Sequence, residues 1–146
     1  MPANLRRAHA DLPTSGGALT LVSTVEDAVR NADLAIDFVP DELESKLEIF
    51  SMIDRMAPPR TILCTPTEVL SITDLASCIY RPERCFALRG LPFASAPVIG
   101  APVQLLYPAS AASAPLGVTE TLLSILGFEV WLLADPEIPM LVKNLV

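Results

Sequence analysis

Residues Asn31–Asp41 read NADLAIDFVPD, and the chain continues to Met56 as ELESKLEIFSMIDRM. Leu34–Phe38 is an apolar run interrupted only by Asp37, the length of a strand buried on both faces. Pro40 breaks it, because proline fixes φ and lacks an N–H donor. From Asp41 to Met56 the apolar residues return as Leu43, Leu47, Phe50, Ile53 and Met56. That spacing of three and four predicts a helix with one apolar stripe. Ala57-Pro58-Pro59 ends it.

The same alternation runs outward. Upstream, Leu19–Val22 reads as a short strand, and Ser23-x-x-Glu26 as a capping box opening a helix to about Asn31. Downstream come a strand at Thr61–Thr65, a helix at Ser71–Ile79 and a strand at Cys85–Arg89. Prolines 92, 97, 102, 108 and 115 then favour loops around one short strand, Val103–Tyr107. A helix at Val118–Leu126 stopped by Gly127, a strand at Glu129–Leu133 and a short helix from about Met140 complete the pattern. Strands apolar on both sides, alternating with helices, imply an α/β fold: an incomplete doubly wound, mostly parallel sheet with flanking helices, in a single domain over residues 1–146.

Composition narrows the function. The 146 residues are 51% hydrophobic with a mean hydropathy of +0.47. No apolar run reaches the roughly 18 residues of a membrane span. Met1–Leu12 holds Arg6, Arg7 and Asp11 and has no signal-peptide core, so a cytoplasmic location is the expectation and no membrane role is indicated. The net charge of −7 and pI near 4.5 argue against nucleic acid, which is bound through basic patches. Cys64, Cys78 and Cys85 fit no metal pattern and read as buried thiols, and His9 is the only histidine, so no metal site is expected.

NADLAIDFVPD, ELESKLEIF, APPRTILCT, LSITDLA and RPERCFAL, in this order and spacing, resemble the second half of the nucleotide-binding domain of 3-hydroxyacyl-CoA dehydrogenases. The likeness is close over Ser23–Leu88 and looser through Leu126-Gly127 and Asp135. It implies NAD as cofactor, an acyl-CoA-type ligand, and oxidation of a 3-hydroxyacyl-CoA. It also implies an acidic residue and a lysine beside the nicotinamide nucleotide, here Asp41 and Lys46. By residue type alone, Asp41 is a helix cap and Lys46 a solvated side chain.

Other family positions hold unexpected residues. The histidine that serves as base falls at Arg89, which stays protonated at any ordinary pH. The glutamate that orients the histidine falls near Gln104, which carries no charge. The serine that touches substrate and cofactor falls at Glu68 in TPTEVL, where a carboxylate repels anionic phosphates. The asparagine after the histidine falls at Pro92 or in the shifted loop and is not carried over, and Asn144 matches another active-site asparagine within a residue or two.

The strand–GxGxxG–helix unit that binds pyrophosphate is not found; Gly16-Gly17 has no strand before it and no long helix after it, and reads as a turn. Met1 falls where the helix after the second strand is expected, so the first βαβ half is largely missing. In a doubly wound order of 3-2-1-4-5-6 that absence opens a sheet edge. Self-association or a partner chain covering this edge is therefore expected. Three functional readings follow: a degenerate, inactive dehydrogenase-type domain, a non-catalytic assembly protein on the same fold, or a subunit completed by another chain.

Overall fold

The computed structural model describes residues 17–90 and 100–136. Its elements in chain order are α1 (Val25–Val29), β1 (Leu34–Ile36), α2 (Leu43–Met56), β2 (Ile62–Pro66), α3 (Ile72–Ala76), a 3-10 turn (Pro82–Arg84), β3 (Cys85–Arg89), β4 (Pro102–Tyr107), α4 (Ser113–Ile125) and β5 (Glu129–Ala134). The five strands form one sheet in the order β1-β2-β3-β4-β5. All neighbours run parallel except β3 and β4.

Helices cover both faces of the centre. Leu63, Cys85 and Ala87 pack with Phe50, Ile53 and Leu75 on one side. Ile62, Cys64, Phe86 and Leu88 pack with Val103 and Leu123 on the other. Alternate residues of β2 and β3 thus feed opposite cores, which is why these strands are apolar without alternation. Each Leu or Phe so buried contributes roughly 1.5–3 kcal/mol relative to exposure.

Four readings of the sequence need correction. Leu19–Val22 is not a strand: it is irregular, and Leu19, Leu21 and Val22 are exposed. A strand requires a neighbour, and the ladder of β1 is shared only with β2. The cap of α1 is Thr24, not Ser23: its hydroxyl accepts from Asp27 N at 3.1 Å. The helix expected at Val118 already starts at Ser113, because Pro115 lies in the first turn, where a missing N–H costs nothing. Its end is as read: Gly127 takes φ +98°, its N–H donates to Ser124 O, and Phe128 N donates to Leu123 O. The helix expected from Met140 lies outside the described residues.

The fourth correction concerns the thiols. Cys64 and Cys85 are buried, but Cys78, just past α3, is exposed. Burial, with the Asp37 carboxylate adding to it, pushes the Cys64 thiol up to about 12. Burial likewise raises Cys85. Thiol reagents attack thiolates. The folded chain should therefore react quickly at Cys78 alone, and at all three cysteines once denatured. Rapid modification of a second thiol in the folded chain, counted by mass spectrometry, would contradict this packing.

Candidate functional site

β1, β2 and β3 end side by side, and the loops leaving them enclose a cleft of about 570 Å³ lined by Phe38, Val39, Asp41, Lys46, Pro66, Thr67 and Glu68. The carboxyl ends of strands are where open α/β sheets bind ligands.

The floor is an ion pair. Asp37 follows β1, and its N–H donates to Cys64 O at 3.4 Å. Lys46 Nζ donates to Asp37 Oδ1 at 2.8 Å, with both side chains only 2% exposed. Lys46 is therefore not a solvated side chain. Its position explains why: it lies three residues after Leu43 and four before Phe50, on the inward stripe of α2. Asp37 Oδ2 is buried without a hydrogen-bond partner.

Asp41 does not cap α2 either. The N-cap is Glu42, and it makes no side-chain capping bond. Asp41 instead ties two loops together, accepting from the Thr67 hydroxyl and, at 2.9 Å, from Glu68 N. Thr67 Oγ1 also accepts from Leu70 N at 2.9 Å, which closes a turn after β2. Glu68 Oε1 accepts from Gly90 N at 2.8 Å, and Gly90 has φ +91°, a conformation suited to glycine.

Arg89 and Gln104 are direct register partners across the antiparallel β3–β4 pair. The Arg89 guanidinium donates from Nε to Thr67 O and from Nη2 to Leu70 O, each at 3.2 Å. The structure thus gathers Asp41, Lys46 and Glu68 at one cleft and sets Arg89 behind its β2 loop, with Gln104 beside Arg89 on β4. Asn144, Pro92, His9 and Gly16 lie outside the described residues.

Sequence reasoning passed over Asp37, Thr67 and Asp135. Asp37 had a signal, an acid in an apolar strand. Asp135, after β5, accepts from Ser71 Oγ at 2.6 Å and Thr73 N at 2.9 Å. No local pattern reveals a contact across so long a stretch of chain. Chemically, the cleft offers acceptors, one hydroxyl and an apolar wall of Phe38, Val39 and Pro66. No imidazole is among the described residues.

The fit to a dinucleotide is one-sided. The apolar wall suits a flat ring such as nicotinamide. The carboxylates of Asp41 and Glu68 at the mouth oppose phosphate, Lys46 is committed to Asp37, and no glycine-rich turn leads into a helix among the described residues.

Residues 5–99 match the family model described as 3-hydroxyacyl-CoA dehydrogenase, NAD binding domain. The mitochondrial hydroxyacyl-coenzyme A dehydrogenase of Sus scrofa is 30% identical over 131 residues, covering 84% of this chain and 39% of that protein. A probable 3-hydroxybutyryl-CoA dehydrogenase of Bacillus subtilis is 30% identical over 83 residues, 57% of this chain and 29% of that one. The crystal structure of 3-hydroxybutyryl-CoA dehydrogenase from Escherichia coli K12 superposes with a TM-score of 0.70 at 29% identity, over 78% of this chain and 23% of that chain. The chain therefore spans well under half the length of these relatives.

The ion pair sets a stability prediction. Lys46→Met leaves Asp37 charged, buried and unpaired, and should cost about 3–5 kcal/mol in chemical denaturation. Adding Asp37→Leu should restore much of that loss. A double variant no more stable than Lys46→Met would show that the pair does not carry the effect.

Proposed function

The chain belongs to the 3-hydroxyacyl-CoA dehydrogenase family through its NAD-binding domain, and on that premise we propose that its cleft is the nicotinamide end of that site, held in a form that binds without turnover. NAD is the cofactor of this domain family, and when bound it supplies the hydride acceptor for oxidation of a 3-hydroxyacyl-CoA.

One observation carries the reading. The two positions that the resemblance gives to a base and its orienting acid are paired across β3 and β4, but they hold Arg89 and Gln104. The guanidinium cannot take a proton from a substrate hydroxyl at ordinary pH. Its two hydrogen bonds brace the loop that carries Thr67 and Glu68. Gln104 brings no charge to stabilise a protonated base. In this chain Arg89 holds the cleft in shape in place of moving a proton.

Phe38, Val39 and Pro66 exclude water from one side of a bound ring, while Asp41 orients the Thr67–Glu68 turn. Glu68 opposes phosphate at the mouth. The alternative, a non-catalytic assembly module, is favoured by a different observation: Trp131, Leu132 and Leu133 of β5 lie exposed in a row.

Calorimetric titration with NAD, alone and with acetoacetyl-CoA, separates the two. Glu68→Gln keeps the acceptor for Gly90 N and removes the charge. Since two unit charges about 4 Å apart in water interact by about 1 kcal/mol, this variant should tighten NAD binding about fivefold. Neither form should reduce NAD in the presence of 3-hydroxybutyryl-CoA. Absence of NAD heat in both forms leaves the assembly reading, and measurable turnover overturns the inactive one.

A further inference from the structure

Among the described residues no strand lies along the outer side of β1, and the geometry of that edge defines what could pair with it. Ile62 N donates to Asp33 O at 2.9 Å and Asp37 N donates to Cys64 O, so the odd-numbered residues turn their backbone toward β2. In a parallel ladder the alternate residues face the other way. Leu34 and Ile36 therefore present N–H and C=O groups to the open side. No lysine, proline or bulge protects this short edge.

Beside the edge, on the face of α1 and α2, runs an apolar groove of about 330 Å³, lined among others by Val25, Ala28, Ala35, Ile49, Ile53 and Asp37. Asp37 is the polar exception: its buried Oδ2 has no hydrogen-bond partner. A strand laid on this edge drops alternate side chains into the groove at the levels of Ala35 and Asp37. The occupant is thereby specified as an extended, uncharged segment with an apolar residue at the first level and a hydroxyl or amide donor at the second.

The chain contains such a segment outside its own sheet. Leu19-Thr20-Leu21-Val22 has the composition of a strand, carries no charge, and is irregular and exposed. Laid antiparallel with Thr20 at the level of Asp37, it places the Thr20 hydroxyl against Oδ2 and Val22 over Ala35. We propose that two copies of this chain exchange these runs, each lending Leu19–Val22 to the β1 edge of the other. The exchange is reciprocal and closes as a two-fold dimer. Direct β1-to-β1 pairing about Ala35 is disfavoured, since it sets Asp33 opposite Asp37 twice, and like charges across strands repel.

Sedimentation equilibrium on the full chain tests the exchange. The expected mass is twice the 15.7 kDa of one chain. Leu21→Asp, in an exposed segment outside both cores, should give the monomer mass with an unchanged circular dichroism spectrum. Leu132→Asp on β5 should leave the dimer intact. Excess peptide of residues 17–24 should split the dimer into one-to-one complexes. A monomeric parent chain overturns the proposal, and so does a dimer that survives Leu21→Asp or dissociates on Leu132→Asp.

Discussion

A carboxylate at the end of β1 and an ammonium on α2 have been taken out of water together, and much of the molecule is arranged around them. Asp37 and Lys46 meet at 2.8 Å with almost no exposure. Desolvating two charges costs several kcal/mol each, and their attraction repays that only when the geometry is kept. The pair therefore fixes how α2 leaves β1: the backbone must turn between Phe38 and Glu42 so that Lys46 points back under the strand end. That turn makes one wall of the cleft. The same carboxylate shows its second oxygen to the groove beside β1. The cleft and the β1 edge are two sides of one buried charge.

A second buried cation holds the opposite end. Arg81 Nε donates to Asp54 Oδ1 at 2.8 Å, while Nη1 reaches Pro58 O and Thr61 O and Nη2 reaches Asp54 O and Ala57 O. It gathers the carbonyls at the end of α2 and the turn into β2. The helix is thus held near each end by a buried ion pair.

The elements set by local periodicity and punctuation were legible. The apolar stripe of α2, the run Cys85–Arg89 and the stop at Gly127 all have a local cause, and the structure has them where residue spacing places them. Leu19–Val22 shows the limit: β composition states that a segment can pair, but not that a neighbour exists. Val118 shows another, since a proline that breaks a helix interior is harmless in the first turn. At the site, the family resemblance pointed to Asp41 and Lys46, while residue type alone misjudged the role of each. Asp41 and Lys46 do line the cleft, yet one braces a loop and the other is neutralised underneath. Such roles depend on partners far along the chain: Thr67 is 26 residues from Asp41, and Asp135 is 64 from Ser71. Short windows of sequence do not contain them.

Arg89 shows how one cation at a strand end can hold a cleft in shape. A histidine there would have to keep a ring nitrogen open toward substrate. An arginine has more donors, and the structure turns two of them inward to the carbonyls of Thr67 and Leu70. Two hydrogen bonds from a charged donor contribute roughly 1.5–3 kcal/mol each, so the guanidinium braces the loop that carries Thr67 and Glu68. Gln104, its register partner, carries no charge and leaves the guanidinium to the loop carbonyls, whereas a glutamate would compete for it. On the proposed reading, changing either alone toward the residue that the resemblance implies would set an imidazole against an amide, or a carboxylate against a guanidinium, and neither mixture would give a base that is both oriented and able to accept a proton.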